Sequence, residues 1–232
     1  MALRSRQDEA VASLRAVLFD FSGTLFRLDK DDSWFAGMDG VDEHVQAELM
    51  ERLTHPTGPG VSMPADIYQA WLNRDLKPHL HREAYLHVLQ VSGLPDRHAE
   101  ELYQRVIDPA SWTPYPDTAR VLDGLRARGV RTAVVSNIAW DIRPTFDDLG
   151  AHPDEFVLSF EVGAMKPDPR IFRTALERLD IAAGETLMVG DSEENDGAAR
   201  EVGCSFALVD PIPTDERPTG LVDAVHVAGL DV

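Results

Sequence analysis

The chain has 232 residues with 44% apolar content, enough for one large domain with an insertion, or for two smaller ones, around a substantial core. Its formal charge of -18, from 40 acids against 22 bases, repels polyanions and argues against nucleic acid or an anionic lipid surface as the main partner. A single cysteine, Cys204, excludes an intrachain disulfide, a thiolate-rich metal site and a C-x-x-C redox pair, and points to a reducing, cytoplasmic compartment.

The opening MALRSRQDEAVASLR is too charged for a signal peptide, and no run approaches the roughly 20 apolar residues of a membrane span. RAVLFD, ending at Asp20, predicts a buried strand. From about residue 27 to 112 the segments YQAWL, REAYLHVLQVSG and RHAEELYQRVI are amphipathic with no strong strand between them, which predicts a helical insertion. Within it, THPTGPGVSMP reads as a loop between two helices. Beyond it, DTARVLDGLRARG predicts a helix ending at Gly129, RTAVVSN a strand, DIRPTFDDLG a short helix capped by Asp141, and EFVLSF a strand. DPRIFRTALERLD predicts a helix with Ile171, Phe172, Ala175, Leu176 and Leu179 on one face. TLMVGD, a helix through NDGAAREVG, and SFALVD complete the series, and the tail after PIPTDERPTG reads as a loop with a short closing element. About five strands alternating with helices predict an α/β fold whose parallel sheet is covered on both faces.

In such a sheet, ligands bind beyond the carboxyl ends of the strands, so the residues that follow each strand are the candidates. They are Asp20 to Thr24, Ser136 with Asn137, Asp191 to Asp196, and Lys166 in the loop after EFVLSF. Taken singly, each has a plain structural reading: Asp20 as a cap, Ser136 and Asn137 as turn formers, Lys166 as a solvated loop lysine. Glu193 and Glu194 suit the first turn of a helix, where acids complement its dipole. In this order the segments bring a nucleophile or metal ligand, hydrogen-bond donors, a cation and further carboxylates to one sheet edge.

DFSGTLF, VVSN, GAMKPDPRIF and VGDSEENDGAA, in that order, resemble the four motifs of the haloacid dehalogenase-like hydrolase superfamily, in its subgroup with a helical cap inserted after the first motif. The resemblance implies a Rossmann-like core of residues 1–26 and 113–232 and a helical cap domain of residues 27–112. It also implies attack of Asp20 on phosphorus, a covalent aspartyl-phosphate, and hydrolysis of that intermediate with Mg2+ nearby. Asp20, the Ser22 carbonyl and Asp191 would then be metal ligands, and Asp196 would hold Lys166 or a metal-bound water. Ser136 and the Asn137 N–H would bind phosphate oxygens, Lys166 would neutralise the transferred group, and the Gly23–Thr24 turn would face the phosphate. The implied substrate is a small phosphorylated metabolite.

The departure from the family lies at Ser22, where most of its phosphatases carry an aspartate that protonates the leaving oxygen and then activates water. A serine hydroxyl stays protonated near neutral pH and is a poor base, and loss of a positioned acid or base costs about 10²- to 10⁴-fold in rate. The substrate itself could replace it, or a group from the insertion: Asp31, Asp32, Asp39, Asp42 and His44, or His79, His81 and Arg82. Trp34 and Phe35 could wall a pocket or pack a core. The other readings are a regulatory phosphate-binding protein, a carbon–halide-cleaving enzyme, or a carbon–phosphorus-cleaving enzyme that uses Lys30 or Lys77 as an amine.

Overall fold

The computed structural model describes residues 14–29, 31, 33–39, 41–54 and 61–232; Lys30, Asp32 and residues 55–60, part of the segment expected to be a loop, lie outside the described residues. The first strand, β1 (Ala16–Phe19), is completely buried and leads through a tight turn to β2 (Phe26–Arg27). Four helices follow: α1 (Glu43–Thr54), α2 (Ala65–Leu72), α3 (Pro78–Val91) and α4 (Asp96–Ile107). The chain then returns through β3 (Thr113–Pro114), which pairs antiparallel with β2, Phe26 opposite Pro114 and Arg27 opposite Thr113. That two-stranded clamp closes the helical insertion at both ends.

Beyond the clamp run α5 (Thr118–Ala127), β4 (Arg131–Ser136), β5 (Glu155–Leu158), the single turn α6 (Ser159–Val162), α7 (Pro169–Leu179), β6 (Thr186–Gly190), β7 (Ser205–Leu208) and α8 (Gly220–Val227). The five longer strands form one parallel sheet in the order β5-β4-β1-β6-β7, so the α/β expectation stands. Alternation along β1 divides the core between the two faces. Val17 and Phe19 pack with Val121, Leu122, Leu125 and Val225 of α5 and α8. Ala16 and Leu18 pack with Ile171, Phe172, Ala175 and Leu179 of α7. The Asp168 carboxylate caps α7 by accepting the Arg170 N–H at 2.9 Å, with Pro169 at the first helical position.

Several segments differ from expectation in type. DIRPTFDDLG and NDGAAREVG form 3-10 turns, Arg143–Phe146 and Gly197–Val202, and the strand in EFVLSF stops at Leu158 because Ser159 begins α6. The tail forms a full helix, α8, whose Leu221, Ala224 and Val225 are buried. Among the described residues no helix is long and apolar enough to cross a membrane.

The insertion has its own aromatic core. His81 stacks on Tyr85 at 4.1 Å, meets Trp140 edge-on at 5.0 Å, and places Nδ1 3.3 Å from the Tyr103 hydroxyl. Burial, aided by Arg74, drives its pKa from 6.5 down to about 3. The folded state therefore holds a neutral ring, while the unfolded chain takes up a proton below about pH 6.5. The stabilisation is complete above that value and is lost as pH falls towards 3, at up to about 1.4 kcal/mol per pH unit. Urea midpoints are expected to fall across this window, and His81→Phe, which keeps an aromatic ring without the titration, should flatten the fall.

Candidate functional site

The strand ends create the site. The Asp20 N–H donates to the Val189 carbonyl at 3.0 Å, extending the β1–β6 pairing by one residue before the chain turns. The Phe21 carbonyl then accepts the N–H groups of Thr24, Leu25 and Phe26 at 3.4, 3.0 and 2.9 Å, and Phe21, Leu25 and Phe26 bury their side chains beneath the turn. Gly23 takes a φ of +76°, and a Cβ there would lie 2.3 Å from Asp191 Oδ2. Only glycine lets this loop pass so close to the end of β6.

Lys166 is the electrostatic centre. It is 3% exposed, and its Nζ donates to Asp20 Oδ1 and to Asp196 Oδ1, each at 2.6 Å. Asn137 fixes the lysine's backbone: its Nδ2 donates to the Lys166 carbonyl at 2.9 Å and its Oδ1 accepts the Lys166 N–H at 2.7 Å. Asp196 is fully buried, and its second oxygen accepts the Ser192 N–H at 3.0 Å. Gly190 makes room for it, since a Cβ there would lie 2.2 Å from Asp196 Oδ2.

Asp20, Asp191 and Asp196 each bring an oxygen within 4.8 Å of the others, with one lysine to balance three carboxylates. Burial raises the Asp20 pKa to about 6, with Lys166 opposing the rise and Asp196 adding to it. Burial, then Asp20 and Asp196, raise Asp191 to about 7. Burial alone would lower the Lys166 pKa, but Asp196 and Asp20 outweigh it and hold the ammonium above its usual range. The cluster is short of positive charge, and its hard oxygen donors suit a divalent cation.

These groups floor a cleft of about 770 Å³, a size that suits a small ligand. Ser22, Gly23, Ser136 and Asn137 line it with the charged cluster, and the insertion contributes Leu53, Trp71, Leu72, Arg74, Asp75 and Trp112. Ser22 is exposed to the cleft, and Glu193 and Glu194 are exposed at its rim. The Thr24 side chain is fully buried and outside the lining, and among the described residues its hydroxyl has no hydrogen-bond partner.

None of the insertion's expected proton carriers reaches the cleft among the described residues. Asp31, Asp39, Asp42, His44, His79, His81 and Arg82 are all absent from its lining, and so is Lys77. Trp34 and Phe35 are core residues, 2% and 8% exposed, rather than pocket walls.

Two residues went unnoticed in the sequence. Asp75, in the 3-10 turn Arg74–Leu76, is a carboxylate within the insertion's share of the lining. Arg217, 6% exposed, binds the turn after Asp20 from behind: Nη1 donates to the Gly23 carbonyl at 2.8 Å and to the Asp210 carbonyl at 2.7 Å, and Nη2 donates to the Thr24 carbonyl. Its guanidinium lies 3.2 Å over the Tyr115 ring.

Comparison with known proteins agrees with this geometry. A family model described as haloacid dehalogenase-like hydrolase matches residues 14–203. The mouse (Mus musculus) haloacid dehalogenase-like hydrolase domain-containing protein 3 is 34% identical over 155 residues, which span 63% of this chain and 62% of that protein's length. The phosphoglycolate phosphatase of Aquifex aeolicus is 28% identical over 199 residues, 84% of each chain. A dehalogenase crystal structure superposes over 86% of each chain with a TM-score of 0.63 at 24% identity, a likeness of fold. With a match across most of its length and its strand-end motifs gathered on one cleft, the chain belongs to the haloacid dehalogenase-like hydrolase family.

Proposed function

We propose that this chain is a Mg2+-dependent phosphohydrolase that acts on a small phosphorylated metabolite through a phospho-Asp20 intermediate. The observation that carries the reading is the Asp20 carboxylate at the cleft floor, bonded at 2.6 Å to Lys166 and grouped with Asp191 and Asp196. The phosphatase name of the Aquifex aeolicus relative supports it. The acid cluster also favours it over halide displacement from carbon, which needs no divalent cation.

On this reading an Asp20 oxygen attacks phosphorus, while the Ser136 hydroxyl and the Asn137 N–H receive phosphate oxygens and Lys166 offsets the charge on the transferred group. Asp20, the Ser22 carbonyl and Asp191 would hold Mg2+, with Asp196 beside them, and when bound the cation would neutralise phosphate charge. Residues 27–112 act as a cap over the cleft, and the enzyme works in the cytoplasm, where the buried Cys204 stays reduced.

The test is incubation of the full chain with a panel of phosphomonoesters and Mg2+, following phosphate release and acid-stable label on Asp20. Release and label that disappear in Asp20→Asn and on chelation of the metal are expected. Tight phosphate binding with neither release nor label would instead identify a regulatory phosphate-binding protein.

A further inference from the structure

The mechanism leaves a vacancy at Ser22. The leaving oxygen needs a proton as its bond to phosphorus breaks, and the water that frees Asp20 must lose one. Among the described residues, Asp75 is the insertion's one carboxylate in the cleft lining. Its side chain is 14% exposed, and its nearest charge is Arg74 Nε at 3.7 Å. Arg74 is itself engaged elsewhere: its guanidinium lies 4.2 Å over the Trp71 ring and donates to the Trp71 carbonyl at 2.9 Å. The Asp75 carboxylate thus accepts no hydrogen bond among the described residues and remains open to the cleft.

The backbone of Asp75 is fixed to the phosphate-binding side of the core. The fully buried Ser159 hydroxyl donates to the Asp75 carbonyl at 2.5 Å and accepts the Ile138 N–H at 2.9 Å. Ile138 follows Ser136 and Asn137 directly, so one hydroxyl joins the Asp75 turn to the loop expected to hold phosphate oxygens.

We propose that Asp75 is the proton donor and acceptor of the reaction, supplying from the helical insertion the part that Ser22 cannot play. The proposal rests on the phosphohydrolase reading above. In the first half-reaction an Asp20 oxygen forms a bond to phosphorus, the ester P–O bond breaks, and the Asp75 carboxyl gives its proton to the departing alkoxide, which leaves as an alcohol. In the second, the Asp75 carboxylate takes a proton from water as the water oxygen bonds to phosphorus. The P–O bond to Asp20 breaks, and Asp20 regains its carboxylate while phosphate departs. Burial raises the Asp75 pKa, opposed by Arg74 and Lys166, in the direction a proton donor requires. Asp20, Arg27, Asp191, Glu193, Glu194 and Asp196 are the other charged groups that line the cleft.

The experiment compares wild type with Asp75→Asn on an alkyl phosphomonoester and on nitrophenyl phosphate, with Mg2+ present. With the alkyl ester, turnover is expected to fall about 10²- to 10⁴-fold. With nitrophenyl phosphate, whose leaving group departs without a proton, a prompt equivalent of nitrophenolate is expected, followed by accumulation of labelled Asp20. Adding Ser22→Asp to Asp75→Asn should restore turnover, and this double variant also serves as the folding control. Wild-type rates in Asp75→Asn would overturn the assignment, as would equal slowing of both esters with raised KM and no label. So would a folded double variant as slow as the single one. Absence of phosphate release and of label from wild type is a separate result: it removes the phosphohydrolase reading itself.

Discussion

Replacing Lys166 by methionine is expected to cost both turnover and stability. Its ammonium serves Asp20 and Asp196 at once, at 2.6 Å each, in a site where the lysine is 3% exposed and Asp196 fully buried. Methionine has a comparable length and no charge, so two buried carboxylates would face each other without their cation. Breaking a buried ion pair from one side typically costs about 3–5 kcal/mol. If Lys166 also offsets charge on the transferred phosphoryl group, turnover should fall by about 10²- to 10³-fold. Urea unfolding and steady-state kinetics on the same preparation check both effects. A Lys166→Met enzyme within tenfold of wild type would remove the lysine from phosphoryl transfer even if the fold weakened.

The second large effect is expected at Arg217. Its fork reaches the carbonyls of Gly23, Thr24 and Asp210, and a buried carbonyl deprived of its donor costs about 1–3 kcal/mol. Arg217→Met should therefore destabilise the protein by roughly 3 kcal/mol, reduced somewhat because Nε is buried without a partner among the described residues. The Gly23 and Thr24 carbonyls belong to the loop that presents Asp20, and a 1 Å misplacement of a reacting group can lower turnover about 100-fold. Arg217→Lys should recover little, because a single ammonium cannot span three carbonyls as the planar fork does. Thermal melting together with kcat per folded molecule separates the two roles. A lower melting temperature with unchanged kcat would confine Arg217 to holding the tail.

The sheet was readable because its central strands are short apolar runs that end in acids or hydroxyls, and the site because ligands gather at those ends. Asp20, Ser136 and Asp191 stand at or next to such an end, and Lys166 and Asp196 lie in the segments that follow β5 and β6, so chain order placed them together. Residues whose importance comes from distant contacts carried no such mark. Arg217 sits in PTDERPTG, where no hydrophobic period announces burial, and Asp75 in NRDLK looks like any solvated helix end. Asn137 was expected to contact phosphate through its N–H, but nothing in the sequence marked its side chain as the clamp on the Lys166 backbone, which depends on two loops meeting. His81 shows the converse: its ordinary pKa suggests a proton carrier, whereas stacking among Tyr85, Tyr103 and Trp140 keeps it neutral. The insertion's first helix, α1, was implied by the loop reading of THPTGPGVSMP but not singled out, because DEHVQAELMERLT is mostly polar; among the described residues it buries Leu49, Met50 and Leu53.

The position of β1 in the middle of the sheet bears on how the molecule is made. Ala16 pairs with Arg131 on one side and with Thr186 on the other, so the strand synthesised before its partners must wait for both. Contacts of such long sequence separation slow folding, and an apolar strand awaiting its neighbours is exposed to wrong pairing. The waiting lasts longer at the loop that follows, whose carbonyls are bound only when Arg217 has left the ribosome. A nascent chain stalled between Asp191 and Arg217 would carry Asp20, Lys166 and Asp191 and still lack the support that sets Asp20 in place. Activity should therefore appear only once Arg217 has joined the fold.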